Sequence, residues 1–386
     1  MPEPDPSSGT EPRIPAIVRL VLVFLLLYVF LVAIGLLGSS IKAMGHGAAT
    51  GMFSGISNPF AALSVGILAT VLVQSSSTTT STIVGMVGQS GPGALPLGIA
   101  IPMVMGANIG TTITNTLVSI GHVRQGLAFR RAFAAATVHD FFNLMCVALL
   151  LPLELATGFL QKTATWATEL ISGGASGAVF KSPVKAAVKA SGKAIAHWVE
   201  ATGLSGHALA IATLVLGILM TFFCLIYITR NMRILISGPL ERTLNRSLAR
   251  SGLIGVAVGV AITVAVQSSS ITTSLLVPMC AAGVLTLGNA FPIMLGANIG
   301  TTVTGLLASS ATETTAGLTI ALVHVLFNVT GLLIFFPFPP IRALPIKCAE
   351  LLAAKAQQNT LYVVAYVLGV FVALPLAGYF IFQNLS

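Results

Sequence analysis

Gln74 to Thr80 reads Gln-Ser-Ser-Ser-Thr-Thr-Thr, seven consecutive hydrogen-bonding side chains inside an apolar segment with no charge beside them. The word returns as Gln267 to Thr273, Gln-Ser-Ser-Ser-Ile-Thr-Thr. An identical heptapeptide follows each copy, Gly106-Ala107-Asn108-Ile109-Gly110-Thr111-Thr112 and Gly296-Ala297-Asn298-Ile299-Gly300-Thr301-Thr302. Hydroxyls and side-chain amides donate to anion oxygens and offer lone pairs to a hard cation such as sodium, so one set of side chains can serve both ions. A helix break would add N-terminal amides for the anion and unwound carbonyls for the cation, without burying Lys or Arg. The glycines at 106, 110, 296 and 300 are expected to let the backbone break and approach a ligand. Isolated Ser and Thr in membrane helices mostly pack or bond back to their own backbone, and that reading competes here. Duplication tips the balance, because polar, glycine-broken segments at matching places in two halves mark transporter binding sites.

These motifs need membrane-spanning helices to hold them. With 55% apolar residues, 8% charged residues and a mean hydropathy of +0.95, the chain is not an ordinary soluble domain. The net charge of +9 comes from Lys and Arg in short loops between apolar runs, with no basic stripe of interleaved aromatics, so nucleic-acid binding is set aside. The fold class expected is an all-α polytopic membrane protein. Residues 1–15 form a polar cytoplasmic tail, 16–151 a first repeat with a re-entrant hairpin around 60–90, and 152–206 an extracytoplasmic connection. Residues 207–337 form a second repeat with a hairpin around 252–284, and 338–386 a C-terminal segment with a final span. Each repeat crosses three times, so the second is inverted. The basic loops at Arg124 to Arg131, Arg230 to Arg250 and Arg342 to Lys355 then all face the cytoplasm. The four-residue recurrence of Lys181, Lys185, Lys189 and Lys193 reads as an amphipathic helix, either a plain solvated face or one that collects phosphate.

Other polar residues carry less. Val-His139-Asp140-Phe-Phe-Asn143 and Val-His324-Val-Leu-Phe-Asn328 occupy matching places, and their ionisable groups either support the hairpins from behind or couple protons. Glu154 and Glu169 read as interfacial residues, and Asn245-Arg-Ser247 as a glycosylation triplet without meaning in a cytoplasmic loop. Cys146, Cys224, Cys280 and Cys348 form neither a disulfide framework nor a metal spacing.

Both Gln-Ser-Ser-Ser words, both heptapeptides, Val138 to Asn143, Pro337-Phe338-Pro339 and Leu344-Pro345-Ile346 resemble the type II sodium-dependent phosphate cotransporters. The resemblance covers nearly the whole chain outside the tail and the central connection. It implies sodium-driven uptake of inorganic phosphate across the plasma membrane, in bacteria the inner membrane, by a duplicated fold like that of elevator-type anion transporters. By that resemblance Gln74, Ser75, Ser76, Ser77, Thr78, Asn108, Thr111, Thr112, Gln267, Ser268, Ser269, Ser270, Asn298, Thr301 and Thr302 surround phosphate and sodium. His139, Asp140, Asn143, His324 and Asn328 support them. Sodium is the co-transported ion, no organic cofactor or enzymatic activity is expected, and the lipid bilayer and a homodimer are the expected partners. The central connection lacks the cysteines of animal members, which favours a bacterial origin. The electrogenic branch carries an acidic residue in the turn occupied here by Gly121-His122-Val123-Arg124-Gln125, so two sodium ions per divalent phosphate and electroneutral transport are expected unless Asp140 faces the site. A symporter for sulfate or a dicarboxylate is the alternative. A membrane enzyme acting on lipid phosphates is the distant one, since no nucleophile–base pair or carboxylate cluster is present.

Overall fold

The computed structural model describes residues 15–43, 56, 58–88, 94–173, 183–236, 252–266, 268–309, 312 and 314–383. Gln267, Lys181, Asn245, Arg242, Arg246, Arg250 and the N-terminal tail lie outside them. The first half comprises α1 (Ala16–Ala43), α2 (Pro59–Val73), α3 (Ser76–Val87), α4 (Leu97–Gly110), α5 (Ile113–Ile120) and α6 (Leu127–Thr157). Then come α7 (Phe159–Gly173) and α8 (Pro183–Glu200), which make the expected connection largely helical. The second half holds α9 (Gly206–Ile236), α10 (Gly252–Val266), α11 (Ser269–Ala281), α12 (Leu287–Ser309) and α13 (Ala316–Phe335). The chain closes with α14 (Pro339–Gln358), α15 (Leu361–Leu368), a π-helical turn at Gly369–Ala373 and α16 (Leu374–Phe382). Among the described residues there is no strand, and five stretches are long and apolar enough to cross a membrane: Leu97–Ile120, Leu127–Thr157, Leu287–Ser309, Ala316–Phe335 and Leu361–Phe382. The protein is an all-α, multi-pass membrane protein.

Local chemistry sets the hairpin. Asn58 caps α2 by accepting from the Phe60 amide at 2.9 Å, with Pro59 at the first helical position. Gln74 closes α2 in the left-handed region, φ 55°, the only non-glycine among the described residues with positive φ. Ser75, extended, restarts the chain as α3 by accepting from the Thr78 amide. At about 1.5 Å per residue, α2 and α3 are each too short to cross a hydrocarbon layer of roughly 30 Å.

The glycines of the heptapeptides do something other than break helices. A Cβ on Gly106 would overlap the Leu63 carbonyl oxygen, and one on Gly296 the Val256 carbonyl oxygen. A Cβ added to Gly110 would come within 2.7 Å of the Thr70 Cβ, and one added to Gly300 within 2.7 Å of the Thr263 Cβ. These glycines let α4 press against α2, and α12 against α10, backbone to backbone, as small residues do between membrane helices. The break expected at the heptapeptide falls at Thr111–Thr112 in the first copy only; α12 runs unbroken through Gly296 to Thr302. The expectation that the glycines open the backbone to a ligand is corrected accordingly.

Helices α1 and α9 pair antiparallel, Ser40 donating to Thr213 at 2.7 Å near one end and Arg19 to Asn231 at 3.3 Å near the other. Helix α8 joins them through Tyr28 and Ser191, 2.8 Å apart; its Lys193 is exposed. This trio meets the remaining helices only thinly, at α3 and α11. Helix α7 belongs with the main body, where Thr319 of α13 donates to its Thr168 at 3.0 Å. Glu154 is correspondingly no interfacial residue. It is buried, and its carboxylate accepts from the Leu160 and Gln161 amides, capping the start of α7.

Candidate functional site

The first turns of α3 and α11 meet at one side chain. Thr301 receives the Ser269 hydroxyl at 3.3 Å and lies 3.1 Å from the Ser77 hydroxyl. Ser75, Ser76, Ser77, Thr78, Ser268, Ser269, Ser270 and Thr301 are all buried, as are Asn108, Thr111, Thr112, Asn298 and Thr302. The structure therefore brings both Ser-Ser-Ser words and one heptapeptide threonine together. Gln74 is committed to the hairpin turn: its Nε2 donates to the Val71 carbonyl at 2.6 Å and its Oε1 accepts from Thr114 at 3.1 Å. Thr111 and Thr112, in the break, bond back to the Ala107 and Ile109 carbonyls of α4, and Thr302 bonds back to the Ile299 carbonyl of α12.

Behind the hydroxyls lies an amide and imidazole layer. His139 Nε2 bonds Asn298 Oδ1, Asn298 Nδ2 donates to Asn143 Oδ1 at 2.9 Å, and Asn143 Nδ2 donates to the Asn108 carbonyl at 2.9 Å. His324 Nε2 stands 3.4 Å from Asn108 Oδ1, while Asn328 donates to the His324 carbonyl. The histidines thus support the heptapeptide asparagines, not the hairpins. Asp140 is wholly buried and accepts from the Tyr366 hydroxyl at 2.8 Å.

The hydroxyl cluster is built from neutral groups. Among the residues whose side chains are described no Lys or Arg is buried, and the buried acids are Asp140 and the capping Glu154. Positive potential comes from the N-terminal amides of α3 and α11, which helix dipoles favour for oxyanions. No group of three or more His, Cys, Asp or Glu able to hold a metal occurs among the described residues.

The Na+/Pi-cotransporter family profile matches residues 29–172 and 219–336, spanning both halves of the site. The chain belongs to the Na+/Pi-cotransporter family. It is 33% identical to sodium-dependent phosphate transport protein 2A of Mus musculus, over 97% of this chain and 69% of that protein. It is likewise 33% identical to sodium-dependent phosphate transport protein 2B of Homo sapiens, over 93% of this chain and 64% of that protein. No solved structure matches the chain significantly.

Two site neighbours in this Na+/Pi-cotransporter family member were absent from the sequence expectation. Asn115, fully buried on α5, accepts from Thr273 at 3.0 Å and Ser274 at 2.9 Å, tying the first-half break to the second hairpin. An asparagine three residues past the heptapeptide, in an apolar span, was a readable signal. Tyr366 lies C-terminal to both copies of the duplicated motifs, and nothing in the duplication points to it.

Proposed function

We propose that this chain couples inward sodium flow to uptake of inorganic phosphate across the plasma membrane, as a secondary active symporter. The carrying observation is the meeting of Ser77 and Ser269, in the first turns of two facing helices, at Thr301. Hydroxyls and helix N-termini receive phosphate there; sodium takes the remaining hydroxyl, amide and backbone oxygens. The relatives' names, sodium-dependent phosphate transport proteins, support the same cargo.

Two inverted repeats are the architecture that fits best. In support, the two hairpins close at different places: Gly88, after α3, accepts from Thr314 beside α13, whereas Gly283, after α11, abuts Arg131 of α6. The antiparallel α1–α9 pair is likewise what inversion would give. Thin contact between the α1–α8–α9 trio and the rest suits an elevator motion, one body sliding past the other.

Phosphate uptake into proteoliposomes with and without an inward sodium gradient tests the function. Ser77→Ala and Ser269→Ala should lower phosphate affinity roughly ten- to a hundredfold, since a hydrogen bond to a charged group is worth about 1.5–3 kcal/mol. Wild-type kinetics in both variants would remove the site. Sulfate or succinate outcompeting unlabelled phosphate would reassign the cargo.

Asp140 changes the charge expectation. The electroneutral reading required that no acidic group serve the site, yet the Asp140 carboxylate interacts with the hydroxyl of the heptapeptide's Thr112, and no buried Lys or Arg offsets it among the residues whose side chains are described. A third positive charge, ion or proton, fits there beside two sodium ions and divalent phosphate. Uptake should then accelerate at an inside-negative potential, and Asp140→Asn should abolish that acceleration. Equal wild-type rates at zero and negative potential would restore electroneutrality.

A further inference from the structure

The histidine–asparagine bonds cross between the halves. His139 of the first half bonds Asn298 of the second-half heptapeptide, and His324 of the second half faces Asn108 of the first. All four side chains are buried. An amide oxygen only accepts, so each ring carries its hydrogen on Nε2, and Nδ1 of each ring has no hydrogen-bond partner among the described residues. A residue present for packing alone would avoid burying an unpartnered nitrogen, which an apolar side chain of similar size would not carry. We propose that His139 and His324 are positioning residues: each fixes the heptapeptide asparagine of the opposite half, so that neither half of the site is complete without the other. The inference rests on the site reading above.

The two crossings are unequal. Asn143 reinforces the first by linking Asn298 to the Asn108 carbonyl, both at 2.9 Å. Asn328, its counterpart, folds back onto its own helix and leaves Oδ1 without a partner among the described residues. The His139 crossing therefore holds the site more firmly than the His324 crossing.

A double-mutant cycle on sodium-driven phosphate uptake, normalised to inserted protein, tests this. Expected first is a roughly tenfold rise in the sodium or phosphate half-saturation concentration for His139→Ala, and a smaller one for His324→Ala. His139→Gln, whose amide N–H reaches about as far as Nε2, should recover most of the loss. Combining His139→Ala with Asn298→Ala should cost no more than Asn298→Ala alone, whereas combining it with Asn108→Ala should multiply the two effects. Independent effects of His139 and Asn298, or a Gln variant no better than Ala, would overturn the proposal. If His139→Ala fails to insert, His139→Leu, which keeps the bulk but has no N–H to donate, against Asn298→Ser supplies the same ratio, non-additive if the crossing positions the site and multiplicative if it does not. Wild-type uptake in both Asn298→Ala and Asn108→Ala would instead sink the site itself.

Discussion

The two halves agree in their packing and part company in their polar chemistry. Helix α4 meets α2 through Gly66, Gly106 and Gly110 against Met103, Leu63 and Thr70; helix α12 meets α10 through Gly259, Gly296 and Gly300 against Ile293, Val256 and Thr263. Contact for contact, the seams match. Yet Asn115 corresponds to Gly305 and Asp140 to Val325, the first half breaks its helix at Thr111–Thr112, and the second does not. The backbone-to-backbone seams admit no added atom, whereas the polar positions are under no such steric constraint and differ.

The largest effect should come from the seams, where the halves should respond alike. Gly106→Ala and Gly296→Ala each push a methyl into a carbonyl oxygen, so the helices must separate. Overpacking of this kind costs about 1–3 kcal/mol or more, and transport should be nearly lost with a lower thermal midpoint in detergent. A tolerant copy would show that the seams are not equivalent.

Next comes the sharpest contrast. Asn115→Ala removes the acceptor of two buried hydroxyls and should reduce uptake about tenfold. Gly305→Ala should be nearly silent, since its Cβ would find Ala321, His324 and Val84 no nearer than 3.9 Å. Uptake rates of the pair, per inserted molecule, decide it; equal losses would erase the distinction.

The smallest difference separates two threonines at matching places. Thr263 donates to Thr272 at 2.8 Å, while the Thr70 hydroxyl is buried without a partner among the described residues. Thr263→Val should lose about 1 kcal/mol of stability, whereas Thr70→Val should be neutral or slightly stabilising, because it removes an unsatisfied group. Thermal unfolding of the two variants in one detergent measures this.

Much of this was legible in the chain. Duplicated words and apolar runs announce a membrane fold and a polar cluster shared between the halves, because burial of seven hydroxyl and amide side chains demands partners. The role of the glycines was not legible: Gly-x-x-x-Gly spells both a weak backbone and a close helix seam, and only the neighbouring carbonyls decide. Glu154 misled because a lone carboxylate at a span's end resembles an interfacial group, while its partners are amides six and seven residues on. Crossed pairs such as His139 with Asn298, 159 residues apart, leave no local trace in the chain.

The π-helical turn at Gly369–Ala373 gives the last span two registers. Ahead of it, Tyr366 reaches Asp140; beyond it, Gly378 abuts Ser64 and Phe382 stacks near Phe60 at 5.1 Å. A regular helix holds one phase along its length, so a rotation of about 100° per residue would put one of these contacts out of line if a residue were removed. The wide turn works as a slip joint that stores one surplus residue. Without that surplus residue the helix would dock on the hairpin or on the buried carboxylate; with it, one rigid span holds both.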